Sequence, residues 1–174
     1  MRANPVWAEA VQLVPVLVLA FPIVSSGQVH LPSLGTAFTV AAALALPVGV
    51  AVTRAGHTLN PIVLGTYLWL VLGAVGFGLG VPPLADLLAA WQGFALFAVV
   101  FAVLLGALTR PTGAIGARGE PATIRRVSLG LLGLSLLAVG WAWVFRDDVR
   151  LGGGLPFIVL NVARRVAIAR GSRP

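Results

Sequence analysis

Apolar residues gather in long, nearly unbroken runs along the chain, and polar residues are confined to the gaps between them. Runs at residues 8–26, 32–53, 61–80, 87–108 and 127–145 each come close to or pass the roughly 20 residues that a helix needs to cross a hydrocarbon core about 30 Å thick. Five transmembrane helices are therefore predicted. A sixth run, Leu151–Ala163, holds only 13 residues before Arg164 and Arg165. As a continuous helix that run reaches about 20 Å and falls short of a crossing.

The placement of arginine argues for the sixth crossing. With the N-terminus cytoplasmic, Arg2, Arg54, Arg110, Arg118, Arg125 and Arg126 all lie inside, and the outer gaps around Gln28 and Pro82 carry no arginine. Without another crossing, Arg164, Arg165, Arg170 and Arg173 would join Arg146 and Arg150 outside and erase the asymmetry. A short or broken sixth helix, about 151–168, restores it, provided Gly152, Gly153 and Gly154 run extended into the membrane ahead of Pro156. A re-entrant or surface-lying segment is the competing arrangement.

The fold class is thus all-α: a polytopic integral membrane helical bundle, one membrane domain over residues 1–174, with five full transmembrane helices and the sixth short or broken. The first run also fits a signal peptide, but the helices that follow favour an uncleaved anchor. Residues 109–126 contain Pro111, Gly113, Gly116, Gly119 and Pro121 with four arginines, and read as a flexible, basic cytoplasmic loop. Ala37, Ala41, Ala45 and Gly49 recur every fourth residue, which places the second helix at the centre of the bundle. An offset of 95 residues aligns two helices of three with few identities, so no internal repeat is inferred.

Composition supports the same solvent. Of 174 residues, 59% are apolar and 10% charged, against roughly 25% charged in ordinary soluble domains. The formal net charge of +7 comes from arginine placed at the ends of apolar runs, which marks sidedness and excludes a nucleic-acid surface. With no cysteine, the chain has no disulfide and no thiolate chemistry.

Candidate chemistry is sparse. Glu9 and Asp86 read as solvated helix ends, Asp86 as an N-cap of the fourth helix, so no charge is expected near mid-membrane. His30 and His57 fall in loops on opposite sides, and pairing His30 with Asp86 supplies only two ligands; no metal site and no cofactor are predicted. No catalytic motif is present: there is no nucleophile elbow, phosphate loop, HExxH or dinucleotide fingerprint, and the protein is read as more plausibly non-enzymatic.

Two functional expectations follow. The first is a small non-enzymatic component of a bacterial inner membrane, a scaffold or subunit with both termini cytoplasmic, partnered by membrane lipids and by a second copy or another membrane protein. Arg125, Arg126, Arg164 and Arg165 would then meet lipid headgroups. The second is a small-solute transporter or substrate-capturing subunit. Its site would lie near the glycine-rich start of the sixth helix and be formed by Gly152, Gly153, Gly154, Asn161, Tyr67 and Gln92, with Thr66 nearby.

Overall fold

The computed structural model describes residues 4–26, 31–146, 148 and 150–171, the side chains of 22–26, 31–33 and 171 excepted. Expectations resting on Arg2, Gln28, His30, Asp147 and Arg173 lie outside the described residues. Among the described residues six α-helices follow one another: α1 (Val6–Ser26), α2 (Leu31–Arg54), α3 (Pro61–Gly73), α4 (Pro82–Ala107), α5 (Pro121–Val144) and α6 (Leu155–Gly171). Short π-helical segments extend α3 (Ala74–Gly78) and precede α6 (Arg150–Gly154). The described residues contain no β-strand.

Helix starts are set by proline. Pro61, Pro82 and Pro121 each stand in the first turn of α3, α4 and α5, where the missing N–H has no helical partner to lose and φ is already suitable. This moves the fourth helix upstream of the 87–108 run, so Asp86 lies inside α4 and Val81 occupies the cap position expected for it. The fifth helix likewise begins at Pro121 and not at Val127, and the basic loop shrinks accordingly. Asn60 caps α3 by accepting from the Ile62 N–H at 3.1 Å.

The sixth helix differs most from expectation. Arg150–Gly154 is π-helical where extended backbone was anticipated, while α6 passes through Arg164 and Arg165 as expected and ends at Gly171. Together they give 21 residues, Arg150–Arg170, long and apolar enough to cross a membrane, as do four of the other segments. The fold is a polytopic helical bundle of the membrane class.

Its core has two parts. Leu19, Phe38, Ala41, Ala45, Val63, Tyr67 and Leu70 join α1, α2 and α3. A larger cluster joins α4, α5 and α6 around Phe97, Val100, Leu131, Ala138 and Leu160. Trp69 of α3 packs against both. The central helix is therefore α3, half of whose span is buried against a third for α2. Ala41 and Ala45 of α2 do face the core, but the predicted centrality of that helix is not observed.

The loop after α4 is also unlike its prediction. Gly113 and Gly116 adopt φ of +58° and +61°, which only glycine reaches at little cost, and fold Ala114, Ile115 and Ala117 into the core. Ser128 accepts from the Ala114 N–H at 3.0 Å. Arg110 and Arg118 remain exposed at the margins of an otherwise packed loop.

Candidate functional site

The polar residues of greatest interest collect at one end of the bundle, where the start of α1, the segment before α3, the inserted loop and the second half of α6 meet. Glu9 and Gln12 stand three residues apart on α1, while Asn161, Arg164 and Arg165 stand three and four apart on α6, so each set shares a helix face. Arg164 is 1% exposed. Its Nη1 donates to Glu9 Oε1 at 2.9 Å, and its Nε donates to the Ile115 carbonyl at 2.7 Å. Arg165 Nε donates to Glu9 Oε2 at 2.7 Å, so one carboxylate is gripped by two adjacent guanidinium groups.

A second layer of bonds surrounds this fork. The Asn60 N–H donates to Gln12 Oε1 at 2.8 Å, and Asn60 Nδ2 donates to Asn161 Oδ1 at 2.8 Å. Tyr67 donates its hydroxyl to the Gln12 carbonyl at 2.7 Å. Asn4 and Thr58 exchange bonds of 2.6 and 3.1 Å, and Thr58 Oγ1 donates to the Gly116 carbonyl at 2.7 Å. Charged groups removed from water are tolerated only when paired and hydrogen-bonded, and this network supplies both conditions.

Several expectations are corrected by this geometry. Arg164 is buried against Glu9 and cannot reach a headgroup, whereas Arg165 is 53% exposed but engaged with the same carboxylate. Arg125 and Arg126 are exposed, as headgroup contact requires. Glu9 is not a solvated end. The residues assigned to a solute site do not converge. Asn161 and Tyr67 belong to the network at this end, and Thr66 bonds the Ile62 carbonyl of its own helix.

Gln92 and the glycines do meet, elsewhere. Gln92 breaks α4 with φ 31° and ψ −114°, and the following Gly93 lies against the backbone of Gly152, whose carbonyl oxygen would be 2.6 Å from a Cβ at position 93. Gln92 Oε1 and Trp69 Nε1 are buried and have no hydrogen-bond partner among the described residues. A separate groove of about 300 Å³, lined by Gly35, Thr36, Thr39, Val40, Phe77 and Gly78, opens between α2 and the π-helical end of α3. It includes neither Gly153 nor Asn161.

His57 packs edge-on against Trp7 at 5.0 Å, and the described residues contain no group of three His, Asp or Glu side chains able to hold a metal ion. Sequence reasoning missed Asn60, although an Asn-Pro pair at the head of an apolar run signals a capped helix start. It also missed the Glu9–Arg164 pair, whose partners are separated by 155 positions. The chain matches no known family, no curated protein and no solved structure.

Proposed function

We propose that the chain is a non-enzymatic scaffold or subunit of a membrane assembly, held in one orientation with both termini cytoplasmic. The observation that carries this reading is the closure of the polar network. Glu9, Gln12, Asn60, Tyr67, Asn161 and Arg164 bond one another and the backbone, so their capacity is committed to joining helices.

Outward-facing glycines support the assembly role. A Cβ at Gly106, Gly130, Gly133 or Gly140 would meet nothing within 4 Å, which leaves room for close approach by a helix of a second copy or of another membrane protein. Exposed Arg54, Arg110, Arg118, Arg125, Arg126 and Arg170 at the network's end support a cytoplasmic assignment and contact with anionic headgroups at Arg125 and Arg126.

A carrier for small neutral solutes is the second reading, favoured by the break in α4 and the unpartnered Gln92 Oε1 beside it. Solute flux into proteoliposomes separates the two. With glycerol and urea, the scaffold reading expects rates equal to those of protein-free vesicles. Faster rates that fall when Gln92 is replaced by leucine would replace it with the carrier. Orientation is read separately in cells: Leu79→Cys should react with an impermeant maleimide from outside, and Gly119→Cys only after permeabilisation.

A further inference from the structure

We propose that α6 is a hinged arm, turning about Gly153–Pro156 and held against α1 and α3 by the polar network centred on Glu9. Three features meet in this proposal: a weak joint, an arm with a narrow grip, and a fastening at its far end.

The joint lies where regular helix is least secure. Residues 150–154 are π-helical, and π segments, glycines and prolines are the usual sites of helix bending. Gly152 is fixed under the Phe145 carbonyl and against Gly93, but a Cβ at Gly153 or Gly154 would meet nothing within 4 Å. Pro156 has no N–H and withholds one α-helical bond from the same stretch. The chain is thus anchored through Gly153, which is also buried, and is least constrained at the exposed Gly154 and Leu155.

The arm is gripped along one ridge. Its buried positions are Pro156, Leu160, Arg164 and Ile168, spaced every fourth residue, and its extensive backbone contacts are with α5 and the π-helical segment. The attachment to α1 and α3 is made by side chains reaching across: Asn161 to Asn60, Arg164 and Arg165 to Glu9. Arg164 also holds the Ile115 carbonyl of the inserted loop.

Glu9 is the group on which this fastening depends. Its single carboxylate is shared by two consecutive arginines, and removing its charge takes away the attraction between α6 and α1 and leaves both guanidinium groups without a counter-ion where water is scarce. Release would part α6 from α1 and α3 and uncover Asn60 and Gln12 along a polar seam at the arginine-rich end. The arm would pivot along the ridge where Leu160 and Ile168 meet the larger cluster, and the contacts among α3, α4 and α5 would stay in place. The inference goes beyond the scaffold reading and does not require it.

Double electron–electron resonance on the full chain in lipid nanodiscs tests the arm, and the absence of native cysteine makes labelling specific. Spin labels at Val50→Cys on α2 and Val166→Cys on α6 occupy exposed positions. Val166 lies about 18 Å beyond the joint along the helix, so a swing of about 20° displaces it by about 6 Å. The otherwise unmodified chain should give one distance population, and Glu9→Gln a second one displaced by about that much. Adding Gly153→Ala and Gly154→Ala to Glu9→Gln should shrink the second population at least twofold. A single unshifted population in Glu9→Gln, or a displaced one indifferent to the two alanines, would overturn the proposal. Should Glu9→Gln fail to fold, the pair Glu9→Ala with Arg164→Ala removes both ends of the same fastening and leaves no buried charge unpaired. The same displaced population is expected there, and an unshifted distribution overturns the hinge.

Discussion

Replacing Gly65 with alanine should destabilise the bundle, because at this glycine α3 lies directly against the backbone of α4. A Cβ at position 65 would stand 2.7 Å from the Val100 Cα and 3.1 Å from its Cγ2. Carbon atoms in comfortable contact sit at about 3.5–4.0 Å, so the two helices must part by roughly 1 Å. The obstacle is backbone, which cannot rotate aside as a side-chain tip can. Overpacking of this kind costs about 1–3 kcal/mol, and the loosened contact also loosens Phe97, Val100 and Leu104, which are fully buried in the larger core. The better helix propensity of alanine offsets at most about 1 kcal/mol. Gly130→Ala is the matched control, since a Cβ there meets nothing within 4 Å and only the propensity gain remains. Unfolding by denaturing detergent in mixed micelles should therefore separate the two variants by about 1–3 kcal/mol, with Gly65→Ala the weaker. Equal stability, or a more stable Gly65→Ala, would refute the packing argument.

Gly93→Ala should lower thermal stability because its methyl meets the Gly152 backbone, whereas Gly153→Ala should leave the melting temperature nearly unchanged. Arg164→Met alone strands Glu9 against the remaining Arg165 and removes a buried partner, for an expected loss of about 3–5 kcal/mol in the same detergent titration. Combining it with Glu9→Leu should recover more than half of that loss, and a strictly additive double variant would show that the pair is not coupled. Arg125→Gln with Arg126→Gln should reduce enrichment of anionic lipid in native mass spectra by up to about 2 kcal/mol of affinity, leaving the unfolding midpoint in place.

The membrane class and the number of helices were legible in the sequence because unbroken apolar length is a local property. Helix limits were less so, and for a consistent reason. Pro82-Pro83 and Pro121 resemble loop residues until they are recognised as helix starts, and Arg125, Arg126, Arg164 and Arg165 resemble helix ends because hydropathy counts every arginine as wet. Arg164 is dry, since Glu9 lies against it. Nothing near position 164 in the chain announces that partner, nor does anything near Asn60 announce Asn161. The buried stretch Ala114-Ile115 was hidden inside a loop whose average composition is basic and glycine-rich. Gln92 and Gly152 were singled out for a solute site, and the structure shows a helix break at the one and close backbone packing at the other. Their meeting through Gly93 depends on the register of α4 against the turn before α6, which composition does not encode.

The Glu9–Arg164 pair also constrains how the molecule is made. Helices reach the bilayer in order of synthesis, at about 5–20 residues per second, so the 155 positions between the partners correspond to about 8–30 s of elongation. Throughout that interval Glu9 has no guanidinium from the last helix to receive, and a nascent chain arrested before residue 164 never acquires one. The charge balance of the first helix is thereby completed only by the last one.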